Sequence, residues 1–113
     1  MCPGIDTNQV RATAMQMRLE AIQSQLAVSF TLCTLAETAS RVGLADTVHA
    51  LVEKVEHNAE VVGHHLDERN HVPGSSLADF QDGLARLKAR IASVKTQSFG
   101  RAFFVRSEAH NAR

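Results

Sequence analysis

The chain contains no tryptophan or tyrosine, only two prolines and two cysteines, and no excess of either charge. Each shortage closes off a class of protein. Pro3 and Pro73 are the only prolines, so the long interval between them is free of the residue that breaks helices most strongly. Twelve Lys plus Arg balance twelve Asp plus Glu. With no net field there is nothing overall to draw in nucleic acid or a membrane surface, and neither is expected as a partner. Cys2 and Cys33 stand in unlike surroundings, one near the N-terminus and one on an apolar helix face, which is no disulfide framework and fits a reducing cytoplasm. The opening MCPGIDTNQ has neither the basic nor the continuous apolar region of a secretory signal. The longest uncharged stretch, Ala21 to Ala36, has sixteen residues and includes Gln23, Ser24, Gln25, Ser29, Thr31 and Thr34. A membrane-spanning helix needs about 20 predominantly apolar residues, so this stretch reads as a buried helix.

What remains is rich in Ala, Leu, Gln, Glu and Arg, the composition of helices. The expected fold is all-α: a three-helix antiparallel bundle with one long central helix, dimerising into a larger helical bundle. Residues 1–8 read as a lead-in in which Asp6, Thr7 or Asn8 caps the first helix. One helical domain follows over 9–97, with helices at about 9–42, 45–69 and 77–97. The tail 98–113 carries Phe103 and Phe104, which are expected to dock on the bundle or on a neighbour. Gly43 is a natural stop for the first helix. Pro73 and Gly74 form a loop, with Ser75 or Ser76 capping the third helix.

The first helix is roughly 50 Å long, more than so small a domain needs for itself. At 100° per residue it shows two apolar stripes instead of the usual one. Met15, Leu19, Ile22, Leu26, Phe30 and Cys33 form the first. Val10, Ala14, Met17, Ala21, Val28, Leu32, Leu35, Ala39 and Val42 form the second, on nearly the opposite side. A helix with two apolar sides is sandwiched, and the expectation is that one stripe closes the monomer while the other meets a second chain. The Met15 to Cys33 stripe, with Phe103 and Phe104, is assigned to that interface.

Helix 2 should bury Val48, Leu51, Val52, Val55, Ala59, Val62 and Leu66. Helix 3 carries Leu77, Phe80, Leu84, Leu87, Ile91 and Val94 at alternating spacings of three and four, with Gly83 marking a close helix approach. Acids dominate 44–68 and bases 83–107, a segregation that suits antiparallel pairing of these helices. The spacing of Leu32, Leu35, Ala36, Ala39, Gly43, Val48, Val52 and Val55 resembles a single tetratricopeptide-type helical hairpin. The resemblance covers about a quarter of the chain and has no second copy; it implies a tight hairpin of helices 1 and 2.

The candidate chemistry is sparse. Glu53, His57, Glu60 and His64 recur at i, i+4, i+7 and i+11, one helix face, and imidazole with carboxylate suits zinc, iron, nickel or copper. That face lies opposite Val48, Val55, Val62 and Leu66, where solvent is expected. His57 lacks the His-x-x-Lys-Gly context of many phosphotransfer modules. The run Arg86, Lys88, Arg90, Lys95, Arg101 and Arg106, interleaved with Phe99, Phe103 and Phe104, has the residue types that grip nucleic acid, but the acidic helix alongside opposes it. Cys33 continues an apolar stripe and reads as a core thiol, not a nucleophile. The function expected is therefore a non-catalytic helical oligomerisation or protein-protein interaction module, a homodimer or a complex with a partner protein, with no cofactor. The alternative is a metal- or small-ligand-binding helical protein using the Glu/His face of helix 2.

Overall fold

The computed structural model describes residues 6–100, with side chains through Ser98. Those residues form three α-helices and no strand: α1 (Thr7–Arg41), α2 (Ala45–His65) and α3 (Gly74–Lys95). A 3-10 turn at Glu68–Asn70 joins α2 to α3, and a π-helical turn at Thr96–Gly100 follows α3. No described helix is long and apolar enough to cross a membrane.

Local chemistry accounts for the helix ends. The Asp6 carboxylate accepts the Asn8 backbone N–H at 3.0 Å and starts α1 two residues earlier than the spacing of apolar residues suggests. No proline or glycine interrupts the 35 residues that follow. Gly43 adopts φ +78°, Leu44 N–H returns to the Ala39 carbonyl at 2.9 Å, and Gly43 N–H to that of Ser40 at 3.2 Å. This paired return is a Schellman stop, and it needs the left-handed backbone that glycine adopts without strain.

α2 ends at His65, four residues short of the expected boundary. The Asn70 side chain donates to the carbonyls of His64 at 2.8 Å and His65 at 3.4 Å, so acceptors at the helix end are satisfied from the following turn. Within that turn Asp67 accepts the Arg69 N–H at 2.9 Å. α3 begins at Gly74, and its N-cap position is Pro73, with no side-chain cap. Ser75 and Ser76 thus lie inside the first turn instead of capping it. Pro73 already supplies a suitable φ of −53°, and its carbonyl accepts Leu77 N–H at 2.7 Å.

The core lies where the three helices meet. It comprises Ile22, Leu26, Cys33, Ala36 and Ala39 from α1, Val48, Val52, Val55, Ala59 and Val62 from α2, and Leu84, Leu87, Ile91 and Val94 from α3. Phe30, Leu32, Leu51, Leu66 and Phe80 pack at its margins. α1 and α2 form the closest pair, as the tetratricopeptide-type resemblance implies, and α3 contacts both. A Cβ built at Gly83 would sit 3.3 Å from a δ-methyl of Leu26, so α3 approaches α1 there at the distance a missing side chain allows.

Two polar residues enter this core. Ser29 is fully buried, and its hydroxyl donates to the Gln25 carbonyl one turn back at 2.6 Å. Asn58 is 4% exposed. No fully buried side-chain nitrogen or oxygen among the described residues lacks a partner, which is what makes such burial tolerable.

Candidate functional site

α1 meets α2 and α3 with one side and leaves the other bare. On the inner side, Ile22 is 0%, Leu26 8% and Cys33 2% exposed, with Phe30 packed against them. This corrects the interface assignment. Ile22, Leu26 and Cys33 are enclosed by the chain's own helices and offer no surface to a second copy. Met15 and Leu19 are half-buried near the open end of the bundle. Phe103 and Phe104, assigned to the same interface, lie outside the described residues.

The outer side holds the second stripe. Val10, Met17, Val28, Leu35 and Val42 are 48–66% exposed, and Leu44 beyond the turn is 52% exposed. Leu32 and Ala39, grouped with them on the wheel, turn inward instead: Ala39 is buried and Leu32 half-buried. The bare line is completed by small and hydroxyl residues. Val10, Ala14, Met17, Ala21, Ser24, Val28, Thr31, Leu35, Thr38 and Val42 follow one another at spacings of four and three without a charged residue. All are exposed except half-buried Ala21. The Thr31 hydroxyl donates to the Ala27 carbonyl and the Thr38 hydroxyl to that of Thr34, both at 3.1 Å. Their donors are engaged within the helix, so the outer line asks for few polar partners.

Charge is arranged to hold α3 against the hairpin. The Arg90 guanidinium donates to Glu37 at 2.7 Å and to the Thr34 hydroxyl at 3.2 Å, and lies 5.8 Å from the Phe30 ring centroid. Lys95 reaches Glu56 on α2 at 2.9 Å, while Arg86 pairs within α3 with Asp82. The acidic α2 and basic α3 are therefore joined directly by one described ion pair, and Arg90, the least exposed of these three cations, goes to α1. Three cations of the basic run are occupied in this way. Burial pushes the Cys33 thiol above its ordinary value, against a smaller opposing pull from Arg90. A nucleophilic cysteine needs the reverse.

Glu53, His57, Glu60 and His64 are all exposed along α2. Among the described residues no three His, Cys, Asp or Glu side chains are gathered closely enough to hold a metal ion. Glu60 and His64 border an open groove of about 640 Å³ between α2 and α3, together with Glu56, Gly63, Lys88 and Lys95 over a floor of Ala59, Ile91 and Ala92. Glu53 and His57 lie outside it. Sequence reasoning also passed over Ser24, Thr31 and Thr38 as parts of the outer line; counting hydroxyl residues as compatible with an apolar stripe would have found them. The chain matches no protein-family model, no curated protein and no solved structure.

Proposed function

We propose that this chain is a non-catalytic assembly module that joins another chain through the outer face of α1. One observation carries the reading: ten successive positions at four-three spacing, from Val10 to Val42, are uncharged and, but for Ala21, exposed. The line spans about 48 Å at 1.5 Å per residue. Single exposed apolar residues are ordinary on protein surfaces, but a long uncharged line in which Val10, Met17, Val28, Leu35 and Val42 recur among small and hydroxyl residues suits an interaction face. Four-three spacing is the repeat by which helices pair side by side.

The reading is tested by light scattering coupled to size exclusion at micromolar concentration. Assembly is expected for the native chain, and a monomer for the Met17→Glu, Leu35→Glu double variant with unchanged helical circular dichroism. A monomeric native chain would count heavily against self-association.

A further inference from the structure

We infer that the occupant of this face is a second copy of the chain, running antiparallel about a two-fold axis near Leu26. The inference rests on the assembly reading above and gives it a partner, a direction and a register. The support is a symmetry in the outer line. Val10 and Val42 lie equally far along α1 from position 26, as do Met17 and Leu35, Ala14 and Thr38, and Ala21 and Thr31. Reversing the helix about that point sets large residues against large and small against small in every pair but Ser24 and Val28 at the centre. Four matched layers result, and Ser24 against Val28 closes the centre. A palindromic face is self-complementary, which is the condition for an isologous dimer.

The flanking residues agree with this pairing. One flank of the line is Arg11, Arg18, Gln25, Leu32 and Ala39, and the other is Thr13, Glu20, Ala27, Thr34 and Arg41. In an antiparallel pair like flanks meet, so Arg18 faces half-buried Leu32 of the other copy, Glu20 faces Thr34 and Arg41 faces Thr13, while Arg11 lies opposite the stretch where Ala39 is already buried in its own core. No like charges are set opposite each other, and Gln25 meets Gln25 across the axis, where two amides can exchange hydrogen bonds. The two helix dipoles are opposed in direction, as antiparallel neighbours favour.

Extent fits as well. A contact about 48 Å long and about 10 Å wide, the diameter of a helix, covers roughly 480 Å² on each copy. Doubled, this is about 960 Å², close to the roughly 1,000 Å² expected of a specific interface. Every side chain over Thr7–Ala14 is exposed in the single chain. In this arrangement the first turns of each α1 lie along the hairpin end of the other copy, beside its exposed Thr38, Val42 and Leu44.

The test uses full-length chains in a Cys2→Ser background, carrying either Met17→Cys or Leu35→Cys. Both sites are exposed, and circular dichroism checks that each variant folds. With oxidised glutathione, an equimolar mixture is expected to yield a covalent 17-to-35 dimer as its main product, while neither variant alone forms more than a trace. Efficient self-linking of each single variant would overturn the antiparallel direction and leave assembly standing. A dimer by light scattering with no disulfide in any combination would overturn this register. A monomer with no cross-link would remove the inference together with the assembly reading.

Discussion

Leu87 and Ile22 are completely enclosed, and shortening either leaves a void that three converging helices cannot easily close. Leu87→Ala is expected to cost about 2–5 kcal/mol, read as a lower urea midpoint with an unchanged denaturant slope. Leu26→Glu would place a charge inside the same core, and its expected result is loss of cooperative unfolding, not release of a folded monomer. The two interior glycines separate space from propensity. A Cβ at Gly63 meets nothing within 4 Å, whereas at Gly83 it meets Leu26. Gly63→Ala should therefore gain close to the full helix-propensity difference of about 1 kcal/mol, and Gly83→Ala less, as measured by chemical denaturation. Cys33 adds a pH dependence. Its folded-state pKa is raised by burial above the ordinary value of 9.0. The buried neutral thiol contributes its full stability below that pH, and the contribution falls as pH rises through it, because the unfolded chain ionises first. The slope of stability between pH 8 and 10 should be shallower in Cys33→Ala, and a thiol reagent should label Cys33 only as fast as the chain opens.

At the level of elements, α3 is held to the hairpin by its apolar line and by Arg90. The Arg90 and Glu37 side chains are 34% and 30% exposed, and this pair joins two helices, whereas exposed Arg86 and Asp82 pair within one. Arg90→Ala is expected to destabilise by about 1–2 kcal/mol, since a half-buried charge loses its partner, and Arg86→Ala by no more than about 0.5 kcal/mol. A double-mutant cycle on Arg90 and Glu37 isolates the coupling. α3 was the most legible helix in the sequence, because Leu84, Leu87, Ile91 and Val94 form one stripe with a single way to face a core. α1 was legible only in part. Its wheel shows two apolar sides, but which one is covered depends on where α2 and α3 dock, a tertiary fact that no local spacing contains. Bulk held a hint: Leu19, Ile22, Leu26 and Phe30 fill a core better than Val10, Ala14, Ala21 and Val28. Ser29 and Asn58 were not legible as core residues, since nothing local marks a polar residue whose bonding lets it enter an apolar interior. The third helix cap was misread because α3 starts at Gly74, ahead of both Ser75 and Ser76, and its first turn has no side-chain cap. The Glu/His line of α2 was legible as an exposed face, but only its Glu60 and His64 end borders a groove.

For the whole molecule, pairing through the outer line of α1, as proposed, would make stability depend on how much protein is present. If folded chains pair and unfolded ones do not, mass action raises the melting temperature with concentration. A clear rise is expected between about 1 and 100 µM for the native chain, with none for the Met17→Glu, Leu35→Glu variant, both read by circular dichroism. The bare first turns of α1 carry a further consequence. Over Thr7–Ala14 the helix has the Asp6 cap but no buried side chain beneath it, and so short a length of helix is marginal without packing. Its backbone amides should exchange with deuterium almost as freely as in a peptide at high dilution and slow markedly as chains pair, while those around Ile22 and Cys33 keep the protection of global unfolding. One end of one helix would then report the local concentration of its own kind.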